Sequence, residues 1–247
     1  MATAKIEERL AVVLSRVAQK ERDAMIRAYD KDGLFSFYAR GALKVGGATG
    51  FATQELALSA LNLTESSSGA YTLKEGRLRH LYAPSGGLEG LLVAQLILEF
   101  ALKALPEEDA ASFYPTFIKA LEALEQGGDP FSVATMFLAK AFKTSGYGLE
   151  VTRCVNCGST KDIVAMSYVH GGFLCRDCLD LAEAMPTDIE ELKILRHAFL
   201  APEEDFLRVT YPQKNIQNVL LHLLNHLHDA IGIRLHSLDA VVHFHQE

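Results

Sequence analysis

The chain has 247 residues, 49% hydrophobic and 22% charged, a globular balance that excludes a disordered chain. That length admits one large domain or two smaller ones. A formal net charge of −7 argues against nucleic acid and anionic membranes as partners, and only four cysteines exclude a disulfide scaffold.

The opening residues, MATAKIEERLAVV, lack the apolar core and cleavage site of a signal peptide, so a cytoplasmic protein without a leader is expected. Short strands then follow in chain order. Leu10–Ala18 is apolar and rich in β-branched residues. Asp23–Tyr29 and Leu34–Leu43 flank Asp30-Lys31-Asp32-Gly33, which carries hairpin turn chemistry. Glu55–Leu63 is a further strand, and Ala70–Lys74 and Arg77–Tyr82 flank a second turn at Glu75-Gly76. Residues 4–20 and 54–63 also admit a helical reading, because short apolar runs do not fix the period. The glycine-rich stretches Val45–Phe51 and Ser85–Gly90 match neither a P-loop nor a dinucleotide fingerprint and read as loops.

After Pro84-Ser85-Gly86-Gly87 the pattern becomes helical. Leu88–Leu105 is apolar but interrupted by Gln95, Glu99 and Lys103, too short and too polar to span a bilayer. Pro106 restarts a helix with acids in its first turn. Asp129-Pro130 supplies an N-cap and a first-turn proline for a helix to about Thr144. Pro186-Thr187 opens another to about Leu200, and Gln213–Ile231 forms the last. The fold class predicted is α+β: a small β-barrel over residues 1–84, then a mainly α-helical part over 85–247 with a metal module at about 150–180.

That module rests on spacing. Cys154-x2-Cys157 and Cys175-x2-Cys178 are two pairs separated by 17 residues, the spacing of a zinc ribbon. Each pair aims two thiolates at one point, and two pairs complete a tetrahedron around one structural Zn2+. A redox role explains one such pair but not two at this distance. Four cysteines fill the shell and leave no place for an activated water. Gly158 supplies the positive φ that such a turn needs. Residues 163–174 read as a hairpin that carries the second pair, with His170 at its surface.

No catalytic residues are predicted. Six of the nine histidines lie after residue 220, namely His222, His226, His228, His236, His243 and His245. His222 and His226 share a helix face, but the acid of a zinc-protease motif is missing, and they read as the polar edge of a packed helix.

The charge is divided. Residues 1–80 carry 12 Lys+Arg against 9 Asp+Glu, whereas residues 81–247 carry 12 against 22. On the predicted strands Tyr38 and Arg40 face one way, as do Arg77 and Arg79, and Lys44 follows close behind. A small barrel with cations for phosphates and aromatics for bases is a platform for single strands. A solvated strand face with incidental arginines is the competing reading.

Several segments together resemble the RecO family of bacterial recombination mediators and DNA repair proteins. They are Val13–Asp23, Asp32–Lys44 with its Ala39-Arg40-Gly41-Ala42-Leu43-Lys44 end, Gly146-Tyr147 to Arg153-Cys154-Val155-Asn156-Cys157-Gly158, and Leu227–Leu238. The resemblance covers nearly the whole chain and implies that the N-terminal barrel is an OB-fold. It implies binding of single- and double-stranded DNA, annealing of complementary strands, and action with RecR to load RecA on DNA coated by single-strand-binding protein. It further implies a helical body that receives the acidic C-terminal tail of that protein, no bond chemistry, no membrane, and a place in the bacterial cytoplasm at the nucleoid. Arg40 and Lys44 come with a matched segment. Arg16, Lys20, Arg27, Tyr38, Arg77 and Arg79 are assigned to DNA by their place on the barrel. The alternative, motivated by the charge of −7, is a zinc-stabilised protein–protein adaptor that does not touch DNA.

Overall fold

Alternation between inward apolar and outward polar residues closes the N-terminal strands on themselves. The computed structural model describes residues 6–182 and 184–235. Five strands, β1 (Ile6–Ala18), β2 (Ala24–Asp30), β3 (Gly33–Ala39), β4 (Ala57–Glu65) and β5 (Tyr71–Leu81), form a closed barrel in the order β1-β2-β3-β5-β4, with β4 pairing back onto β1. All neighbours are antiparallel except β3 and β5, which run parallel. This is the five-stranded arrangement of an OB-fold. Ala11, Val13, Ile26, Phe37, Leu61 and Leu63 fill the interior.

The two segments with an open period, 4–20 and 54–63, contain strands and not helices in their described parts, β1 and most of β4. Two other expectations need correction. Residues 71–81 form a single strand, not two around a Glu75-Gly76 turn. Gly76 lies within β5 opposite Leu61, and a Cβ there would sit 3.0 Å from that of Ala52. The glycine therefore admits a packed neighbour instead of turning the chain. That neighbour belongs to α1 (Ala48–Ala52), a five-residue helix where a loop was predicted.

One end of the barrel interior holds a charge pair. Arg9 Nε donates to Asp30 Oδ2 at 2.6 Å and Arg9 Nη2 to Asp30 Oδ1 at 2.8 Å, with the guanidinium 3.7 Å from the centre of the Phe35 ring. Outside the barrel, Tyr29 is fully buried because its ring meets Tyr114 edge-on at 5.1 Å and its hydroxyl donates to the carbonyl of Ala110. The strands and Leu98–Pro115 accordingly make one compact unit.

The second unit comprises Pro84–Ile97 and the chain from Thr116 onward. Helices α2 (Gly87–Lys103) and α3 (Glu107–Glu125) contribute to both units. Helix α4 (Pro130–Thr144) is buried on nearly every side, and Asp129 caps it by accepting from the Ser132 amide at 2.9 Å. The hairpin β6 (Ile163–Ser167) and β7 (Gly172–Cys175) leads into a single helical turn, α5 (Arg176–Leu179). Helix α6 (Ile189–Leu200) starts later than Pro186-Thr187. Thr187 is drawn to β6 instead: its amide donates to Val164 O and its Oγ1 accepts from the Met166 amide. Asp188 then caps α6 through the Glu190 amide at 2.7 Å. Helix α7 spans Gln213–Ile231 as predicted and stops at Gly232, whose φ of 69° is left-handed. Among the described residues no helix is long and apolar enough to cross a membrane.

Candidate metal centre and nucleic-acid interface

The β6–β7 hairpin is too short to hold a large core, and its cysteines supply much of what it buries. Cys154, Cys175 and Cys178 are buried with Ala165 and Leu174. Cys157 completes the set, and the four Sγ atoms lie within 4.8 Å of one another. None is in a disulfide. The Cys157 and Cys175 sulfurs are 3.6 Å apart. A tetrahedron with metal–sulfur bonds of about 2.3 Å has edges of about 3.8 Å. The donor set and spacing therefore suit a four-thiolate metal site.

The backbone prepares that site. Gly158 has φ 75° and its amide donates to Cys154 O at 2.9 Å, closing the first knuckle as its sequence position predicted. Burial resists ionisation of Cys154, but amides of Cys175, Cys157 and Asn156 turned toward its sulfur outweigh it and hold the thiol down at about 6. Burial and the neighbouring sulfurs push Cys175 and Cys178 the other way, so the cluster without a cation resists carrying several thiolates at once. His170 is no part of the cluster: it is exposed, with Nδ1 2.9 Å from Ser167 Oγ.

The residues assigned to DNA fall into separate places. Five gather around the segment 40–44. Arg16 Nη1 donates to Ala42 O at 3.3 Å, and Arg16 and Lys44 line one groove of about 250 Å3 with Phe51. Asp23 ties the β1–β2 connection to the same segment, accepting from the Tyr38 hydroxyl at 2.5 Å and from the Gly41 amide at 2.9 Å. Lys20 and Arg40 lie close enough to Asp23 to favour its charged form. Arg27 stands apart, exposed on β2 opposite Ser15 and Ser36, in a hollow lined also by Leu34, Phe35 and Leu102.

Arg77 and Arg79 are exposed on β5 and do not join that cluster's groove. A register shift pairs Leu78 with Ser59 but His80 with Leu58, leaving Arg79 as the extra residue. Simple alternation therefore no longer places both arginines on one face. Arg77 is also engaged by Glu75 at 2.9 Å.

Sequence reasoning missed two members of the groove. Phe51 is 53% exposed and Val45 98% exposed, both beside Arg16 and Lys44. Their signal was a pair of apolar residues inside a glycine-rich loop. The Arg22 carbonyl accepts from the Leu43 amide at 3.0 Å, a second backbone tie between the β1–β2 connection and this segment.

His222 and His226 lie on α7 beside Tyr168, with ring centres 5.7 and 5.5 Å away. His222 is exposed and His226 half-buried, the polar edge predicted for them. Burial lowers the pKa of His226, which favours its neutral form. His236, His243, His245 and the Ser237-Leu238 end of the resemblance lie outside the described residues.

Comparison with known proteins covers most of the chain. Residues 86–239 match the family model described as "Recombination protein O C terminal". A DNA repair protein RecO of Exiguobacterium sibiricum is 30% identical over 174 residues, covering 69% of this chain and 70% of that protein. The DNA repair protein RecO of Acetivibrio thermocellus is 28% identical over 174 residues, 68% of this chain and 69% of that one. The one from Lactobacillus acidophilus is 23% identical over 203 residues, 81% of each.

Proposed function

The chain belongs to the RecO family, and from that premise we propose that it is a DNA repair and recombination mediator that works by binding, without bond chemistry. Residues 1–84 are the DNA-binding domain, an OB-fold that takes single- and double-stranded DNA and brings complementary strands together. Residues 85–247 are the metal-bearing, protein-facing domain. It meets RecR and the acidic C-terminal tail of single-strand-binding protein, and so helps RecA onto coated DNA in the bacterial cytoplasm.

The observation that supports this best is the groove at segment 40–44. Arg16 and Lys44 frame it, Phe51 offers an exposed ring, and Lys20 and Arg40 stand beside it. Cations that track phosphates around an aromatic that stacks on a base are what a single strand requires. Arg27, Tyr38, Arg77 and Arg79 contribute from neighbouring strands. Cys154, Cys157, Cys175 and Cys178 hold one Zn2+, whose closed shell makes it a structural clamp.

The deciding experiment anneals complementary strands pre-coated with the cognate single-strand-binding protein. The mediator accelerates annealing, and Arg40→Glu with Lys44→Glu abolishes the acceleration. An adaptor that never touches DNA, the reading favoured by 22 acids against 12 Lys+Arg in residues 81–247, behaves the same with and without the Arg40→Glu and Lys44→Glu reversals on the coated strands. Elemental analysis finding one zinc per chain tests the metal independently.

A further inference from the structure

Within the second unit, a cleft of about 740 Å3 opens between the four-Cys hairpin and helices α6 and α7. Its floor is apolar, with Met166, Leu195 and Val219 all buried. One wall is Tyr168, stacked on His222 at 24° between ring planes. The Tyr168 ring also meets His226, 5.5 Å away between ring centres. At the rim are two carboxylates, Asp188 and Glu191. No lysine or arginine is among the described lining residues.

That combination selects its occupant. An apolar floor rewards an apolar chain. An aromatic wall beside two carboxylates rewards a cation. An acidic chain would meet like charge, and so would a nucleic acid. We propose that this cleft binds a protein segment carrying one lysine or arginine between apolar side chains, with the cation held by Asp188, Glu191 and Tyr168. This is a second protein-docking site, opposite in charge preference to one for an acidic tail. It does not depend on the DNA-binding reading.

The test uses the full chain in its metal-loaded form and a fluorescein-labelled peptide, Ala-Leu-Leu-Lys-Leu-Leu-Ala, read by fluorescence polarisation. An analogue with glutamate in place of the lysine serves as the comparison. The lysine peptide should bind at least about tenfold more tightly than the glutamate peptide. Asp188→Asn with Glu191→Gln should remove about that tenfold preference. Both substitutions keep local structure: Asn still caps α6, and Gln still accepts from Asn218, which now donates to Glu191 at 2.9 Å. If the double variant does not fold, carbodiimide coupling on the unmodified protein decides the question, with the lysine peptide expected on Asp188 or Glu191. Equal affinity for the two peptides, a preference for glutamate, a preference that survives in the folded double variant, or coupling confined to other carboxylates each overturns the proposal.

Discussion

Asp23 ties the β1–β2 connection to the segment that carries Arg40 and Lys44, and its protonation state sets how firmly that tie holds. Its carboxylate accepts from the Tyr38 hydroxyl and the Gly41 amide. Those two bonds lower its pKa, the tyrosine more than the amide, with help from Lys20 and Arg40. The same contact raises the pKa of Tyr38. A depressed carboxylate contributes its tie fully above the ordinary aspartate range, near 4, and loses it as pH falls through the lower folded value. The loop is therefore tied throughout neutral and mildly acidic conditions. An NMR titration followed at the Asp23 carboxyl carbon and the Gly41 amide should give one midpoint below 3.9, the ordinary aspartate value. Tyr38→Phe removes the largest cause and should move that midpoint up toward the ordinary range. A midpoint unchanged by the substitution would mean that the hydroxyl does not bond to Asp23 in solution.

At the scale of elements, most of the architecture was readable because periodicity and turn chemistry agreed. The Lys31-Asp32 turn joins β2 to β3 where the sequence placed it, with Asp30 paired to Gly33. Asp129 and Pro130 open α4, and α7 has the predicted ends. The misreadings have a common cause: a local signal used for a distant contact. Gly76 carries turn chemistry but serves α1, and Thr187 carries capping chemistry but serves β6. A five-residue helix such as α1 is also too short to display a period. Gly76→Ala tests the first reading. The new Cβ meets Ala52 Cβ at 3.0 Å, with Leu73 and Leu61 at 3.5 and 3.6 Å. Overpacking costs about 1–3 kcal/mol, and loss of glycine's unfolded freedom returns about 0.4–1 kcal/mol. Urea denaturation should show a net loss of about 1–2 kcal/mol, and no loss would mean that the contact with Ala52 is not tight.

The four-Cys hairpin poses the opposite problem, since its cluster of cysteines was legible and its stability was not. Strands of five and four residues around a core of Ala165, Leu174 and three cysteines bury little apolar surface. Binding free energy of about 10–16 kcal/mol for structural zinc exceeds anything such a hairpin supplies alone. Chelation, or Cys175→Ser, should therefore abolish hydrogen-exchange protection at the β6 and β7 amides. Protection that survives with the metal gone would show that packing, not the ion, holds the hairpin.

At the scale of the whole molecule, the net charge of −7 conceals a cationic cluster within residues 1–80 and an excess of acids in residues 81–247. Salt reports which of these a bound strand feels. At 0.1 M the Debye length is about 10 Å, so only neighbouring charges count; at 0.01 M it is about 30 Å, and more distant charges act as well. Above 0.1 M, neutralising phosphates with Arg16, Lys20, Arg40 and Lys44 should give a slope of about −3 in log K against log salt for single-stranded DNA, at about −0.7 per contact. Below about 0.02 M the plot should flatten as the acidic excess begins to oppose binding. Arg40→Ala with Lys44→Ala removes two contacts and should reduce the slope by about 1.4 while leaving the flattening in place. Fluorescence polarisation across salt separates the two effects. A slope unchanged by the double substitution would move the interface away from segment 40–44, toward Arg27 or the arginines of β5.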